Sequence, residues 1–139
     1  MHRSIAAALL SALVAGAALA QTADPIRTQA GIRYACTGVD ADSREDPRWK
    51  QFAARLVFAA GNGDYLSQVT VRVVDAGGKT VVEVTDCGPW LLLDLPQGRY
   101  QVFASARDGQ ARQHDGSGAL NVGGSGRSEA IIRFPDISG

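Results

Sequence analysis

Histidine, cysteine and charge of one sign are all in short supply here, and each shortage removes a class of chemistry. There are two histidines, and only His114 lies beyond the first two residues. A zinc or copper centre built on imidazoles needs more of them. Catalysis by a histidine-activated serine or cysteine would rest on His114 alone. That residue sits in the turn-like run Gln113-His114-Asp115-Gly116 and reads as a solvated surface side chain. The two cysteines, Cys36 and Cys87, form no C-x-x-C motif. Fourteen basic residues stand against fourteen acidic ones, without the basic excess of a nucleic-acid binder. No Lys-Ser/Thr follows Gly123-Gly124-Ser125-Gly126, so that cluster reads as a flexible connection and not a phosphate loop.

Long apolar runs are missing too, with one exception at the start. His2 and Arg3 precede an uncharged stretch, Ile5 to Ala20, that ends in the small-x-small pattern Ala18-Leu19-Ala20. Such a stretch is expected to act as a secretory signal peptide cleaved after Ala20, being too short and alanine-rich for an anchor. The expected address is periplasmic or secreted, with no stable membrane anchor after cleavage and no cysteine at the cut for a lipid. Cleavage would remove Arg3 and no acid, leaving thirteen basic and fourteen acidic residues. About 119 residues would remain, enough for one domain with a single two-layer core. In an oxidising compartment the even pair Cys36 and Cys87 predicts a disulfide. It would close a loop of about 52 residues, worth roughly 4 kcal/mol in the chain-entropy account.

The rest of the chain is organised by period two. Residues 21–30 are polar and read as a mobile tail. Ile32, Tyr34 and Cys36 share one face of a short strand. Asp46-Pro47 suits a helix cap with proline in the first turn, and Trp49, Phe52, Ala53 and Leu56 follow at helical spacing. A short helical turn near residues 47–53 therefore precedes a strand from about Ala54. Apolar and polar residues then alternate through Val69–Val73, Val82–Val84, Leu91–Leu95, Tyr100–Ala106 and Ala130–Phe134. Turn signals separate them: Gly61-Asn62-Gly63-Asp64, Gly77-Gly78, Pro96-Gln97-Gly98, Asp108-Gly109, Asp115-Gly116-Ser117-Gly118 and Gly123 to Gly126. This spacing predicts an all-β, antiparallel Greek-key sandwich of about seven strands and argues against a parallel α/β enzyme fold. Trp90–Leu95 and Arg99–Arg107 read as neighbouring strands of one meander, joined by a tight Pro96-Gln97-Gly98 turn.

Gly88-Pro89-Trp90, then Leu95-Pro96-Gln97-Gly98-Arg99-Tyr100-Gln101-Val102, then Asp108-Gly109 make a recognisable order. It resembles the L-P-x-G-x-Y-x-V…G hairpin of transthyretin-like (prealbumin-like) sandwiches, such as carboxypeptidase regulatory-like domains. Val69 to Val73 with Asp75-Ala76-Gly77-Gly78 resembles the strand and D-x-x-G turn that open such domains. The likeness spans roughly residues 54–135, and its matching positions are turns and core, so it implies a fold and no activity. Tyr34-Ala35-Cys36 and the charged run Asp42 to Lys50 also resemble the opening of small uncharacterised secreted proteins of Gram-negative bacteria, which implies a periplasmic address. Hydroxyisourate hydrolases share the transthyretin shape but use several histidines and end in Tyr-Arg-Gly-Ser. This chain has His114 and ends Phe134-Pro135-Asp136-Ile137-Ser138-Gly139, so that activity is not implied.

Three sets of residues remain as candidates. Asp40, Asp42, Glu45 and Asp46 place four carboxylates in seven positions, a weak calcium candidate. Arg44, Arg48 and Lys50 are interleaved with them, which suits a self-neutralising charged loop better. Asp86 and Asp94 are acids embedded in apolar strands, both expected to point outwards near strand ends. Trp49, Trp90 and Tyr65 are the candidate binding surface, since aromatics beside arginines grip a peptide, a sugar or a partner protein, although packing in the core or at its rim suits them better. The expected organisation is a signal peptide (1–20), a tail (21–30), a strand and charged segment packed on the sandwich (31–53), and the sandwich itself (54–139). The expected role is a non-catalytic periplasmic binding or structural module, without a cofactor, acting on an envelope protein or peptide. The alternatives are a carboxylate-dependent enzyme, or an inhibitor or chaperone working through an exposed strand edge.

Overall fold

The computed structural model describes residues 23–138, which fold as two packed sheets. The expected signal peptide and its cleavage point lie outside the described residues. The strands are β1 (Arg27–Gln29), β2 (Ile32–Thr37), β3 (Ala54–Ala60), β4 (Val69–Asp75), β5 (Thr80–Cys87), β6 (Trp90–Leu93), β7 (Gly98–Arg107), β8 (Gln113–Val122) and β9 (Ser128–Phe134). One sheet runs β1-β2-β6-β3-β9 and the other β5-β4-β7-β8. An all-β sandwich is what period two predicted, but with nine strands among the described residues instead of about seven. Residues 27–29, read from sequence as tail, form β1 by pairing with Ile32 to Tyr34.

Every neighbouring pair is antiparallel except β3 and β9, which run parallel with Leu56 opposite Ala130 and Phe58 opposite Ile132. Between the sheets lie Leu56, Phe58, Val71, Val73, Leu91, Leu93, Val102, Ile132 and Phe134, all closed to solvent. Burying each such side chain contributes about 1.5–3 kcal/mol. The turn expected at Asp115 to Gly118 is instead the middle of β8. Gly116 and Gly118 face inwards there, and a Cβ on Gly118 would lie 2.9 Å from the Ile132 Cδ1. Close approach of β8 to β9, and not chain reversal, is what these glycines serve.

The Trp90 to Leu93 run is apolar throughout because both faces of β6 are covered. Leu91 and Leu93 enter the main core, while Leu92 joins Ala35, Trp49 and Phe52 in a second cluster on the outer side of the sheet. That cover comes from the charged segment. A short helix α1 (Ala41–Arg44) is capped by Asp40, and a single 3-10 turn over Pro47–Gln51 is capped by Asp46, whose carboxylate accepts from the Arg48 N–H. The capping expectation at Asp46-Pro47 therefore holds, and Trp49 is carried inwards.

One expected pairing is wrong. β6 and β7 are not a hairpin: β6 lies between β2 and β3, and β7 lies between β4 and β8. Pro96-Gln97-Gly98 is thus a crossing between sheets. Tyr100 fixes it, donating its hydroxyl proton to the Pro96 carbonyl at 2.7 Å. Burial, then the nearby Asp75 charge, raises the Tyr100 phenol above its ordinary value.

Candidate functional site

The three aromatics expected to form a surface do not share one. Trp49 is 2% exposed and Trp90 8%, while Tyr65 alone stays open at 47%. The correction follows from the 3-10 turn, which lays Trp49 over β6, and from Gly38, which packs on Trp90. Gly38 has φ +96°, and a Cβ there would lie 2.9 Å from the Trp90 Cγ. Both indole rings are covered by guanidinium groups: Arg48 lies 4.5 Å from the Trp49 ring and Arg55 lies 4.2 Å from that of Trp90. Arg44 stacks on Tyr65 at 4.8 Å. The Trp49 Nε1 donates to the Ser43 carbonyl at 2.6 Å, whereas the Trp90 Nε1 is buried and meets no acceptor among the described residues. Arg127 reaches under this layer and donates to the Trp49 carbonyl at 2.5 Å. Burial, reinforced by the neighbouring Arg55, lowers its guanidinium from the ordinary value.

Two of the acidic candidates, Asp40 and Asp46, are occupied with local structure. Asp40 accepts from the Ser43 N–H at 2.7 Å, and Asp46 is gripped by Arg48 at 2.7 Å. The Arg48 hydrogen bonds hold the Asp46 carboxyl below the usual range. Among the described residues no three histidine, cysteine, aspartate or glutamate side chains gather as a metal site. Asp40, Asp42, Glu45 and Asp46 are therefore not brought together as calcium ligands. Asp94 pairs with Arg33 at 3.3 Å, and Arg55 pairs with Glu129. Asp86 is exposed on β5 with φ 53°.

His114 is in β8 and not in a turn, half-buried, with its Nε2 donating to the Asp108 Oδ2 at 2.9 Å. Asp108 organises the β7–β8 turn as well, since its Oδ1 accepts from the N–H groups of Gln110 and Arg112. These bonds, His114 first, lower its carboxyl to about 2. No hydroxyl hydrogen-bonds the His114 ring among the described residues, so this pair lacks a nucleophile to activate.

Cys36 and Cys87 meet as a disulfide, with Cα atoms 5.0 Å apart. It joins β2 of one sheet to β5 of the other.

The open surface lies elsewhere. The outer face of β5-β4-β7-β8 is not covered by any other described element, and period two sends its polar residues there. Glu83, Arg72, Phe103 and Ser117 lie abreast across the four strands. Phe103 is 40% exposed, and the Arg72 guanidinium sits 4.6 Å from its ring centroid. Around them is a shallow concavity of about 650 Å³, also lined by Thr70, Ser105, Asp115 and Arg133. No carboxylate pairs with Arg72 among the described residues. Sequence reasoning passed over Phe103 because alternation placed it with polar neighbours. An aromatic on the polar face of a strand was the available signal.

No family model, curated protein or solved structure matches this chain. No helix among the described residues is long and apolar enough to cross a membrane.

Proposed function

We propose that this chain is a non-catalytic binding module of the cell envelope, periplasmic or secreted, built as a transthyretin-like sandwich, that holds a protein or peptide on the outer face of β5-β4-β7-β8. The observation that supports this reading is Phe103, a large ring left open mid-strand with Arg72 stacked on it. Aromatic and arginine side chains are the residue types that dominate binding energy at protein surfaces. The surrounding Thr70, Ser105 and Ser117 supply a polar rim.

The test compares the oxidised protein with its Phe103→Ala and Arg72→Gln variants as baits in an envelope extract, each first checked for its native circular dichroism. Eluates are read by mass spectrometry, and any saturable partner is then titrated by calorimetry. The expected result is a partner whose Kd rises at least tenfold with Phe103→Ala. A partner bound equally well by both variants, or turnover of a substrate by the protein, would remove the basis for this reading.

A further inference from the structure

The two sulfurs of the disulfide are not equivalent. Cys87 is 0% exposed and belongs to the main core. Cys36 is only partly buried and lines a concavity of about 480 Å³ between β1–β2 and β5, with Arg27 and Tyr34 on one wall and Val84, Thr85 and Asp86 on the other. Thiol–disulfide exchange requires the incoming thiolate to reach the sulfur it attacks. Among the described residues, Cys36 borders this concavity and Cys87 does not.

We propose that Cys36–Cys87 is a one-sided exchange site for a dithiol oxidoreductase, which attacks Cys36 and expels Cys87. The reductant thiolate forms a bond to the Cys36 Sγ. The Cys36–Cys87 bond breaks, its electron pair passes to the Cys87 Sγ, and that sulfur takes up a proton. The second thiol of the reductant then attacks its own sulfur in the mixed disulfide. Cys36 leaves and is protonated, and the reductant departs as a disulfide, two electrons having passed to the protein. The volume of the concavity is within the range of small-ligand sites, room for one cysteine side chain presented by a reductant. Cys87 emerges as a thiol among apolar neighbours, where the thiolate is disfavoured, so exchange is slow and the intermediate is carried on Cys36.

Glutathione serves as the probe because it makes the first bond and carries no second thiol of its own, so the mixed disulfide persists until a second glutathione molecule attacks it, and an early quench captures it. The oxidised protein is incubated with it under native conditions, quenched with acid, alkylated and mapped by peptide mass spectrometry. Glutathione is expected on Cys36 and the alkyl group on Cys87, by at least tenfold over the reverse. The same reaction in urea is expected to label both cysteines comparably. Comparable labelling in the native protein would show that exchange goes through unfolding and would overturn the proposal. Glutathione mainly on Cys87 would also overturn it, as would Cys36 selectivity that persists in urea, since this would trace it to local sequence and not to the fold.

Discussion

The side-chain amide of Gln29 pairs with the backbone of Glu83 at two points, its Nε2 donating to the Glu83 carbonyl at 3.0 Å and its Oε1 accepting from the Glu83 N–H at 2.6 Å. An amide imitates a peptide group, so Gln29 does for one residue what a neighbouring strand does for many. β5 is the edge of its sheet, and exposed edges invite pairing with other chains. Gln29 in β1 and the disulfide from β2 thus close the same side of the sandwich.

Replacing Gln29 with alanine removes both bonds while leaving Glu83 free to bind water. The expected loss is about 1 kcal/mol, in line with the net value of a few exposed hydrogen bonds. Urea midpoints measure it. Analytical ultracentrifugation should show more self-association in the variant, and an unchanged sedimentation profile would mean that the edge needs no such guard.

Removing the disulfide by a Cys36→Ala/Cys87→Ala double substitution should be more severe. The sequence separation is 51 residues, for which chain entropy predicts a loss of about 4 kcal/mol. Comparing the urea midpoints of the oxidised protein and the double variant checks this value.

The covered tryptophan and the open tyrosine make a direct comparison. Trp49→Ala empties the second cluster and is expected to lose about 3–5 kcal/mol. Tyr65→Ala removes one stacking contact with Arg44, worth about 1 kcal/mol or less. Thermal unfolding of the two variants side by side would separate a structural ring from a surface one.

Asp108 gives a pH dependence with a definite sign. Its folded carboxyl titrates at about 2 against an ordinary 3.8. The folded state therefore favours the ionised form, and the stabilisation is present above about pH 4 and lost as the pH falls towards about 2. Asp108→Asn should lower stability near neutrality and flatten the decline across that acid window. Urea unfolding at successive pH values in both proteins reads the difference.

Much of the fold was legible because alternation is a local property. Val71 and Val73 face inwards with Thr70 and Arg72 outwards, as period two requires, and Asp46-Pro47 marked the 3-10 turn. Partner choice is not local, and there the reading failed. Leu95 to Gly98 looks the same whether it turns a hairpin or crosses between sheets, so β6 and β7 were paired wrongly. The burial of the two tryptophans is not local either: nothing near Leu92 in sequence reveals that Trp49 and Phe52 lie over it, nor anything near Trp90 that Gly38 and Arg55 cover its ring. Gly116 and Gly118 carry the ordinary signature of a turn, and only the proximity of Ile132 explains them otherwise. The open Phe103 was missed because an exposed ring at one position of an alternating strand is ambiguous without knowing what covers the sheet.

The parallel pairing of β3 with β9 has a consequence in time. β3 ends at Ala60 and β9 begins at Ser128, so the pair closes only after most of the chain is present. Contacts between such distant segments slow folding, because loop closure must be achieved before they can stabilise anything. A nascent chain emerging from its amino end would hold β3 with one edge bare until its last strand appeared, and in that interval would be a natural client for a holdase.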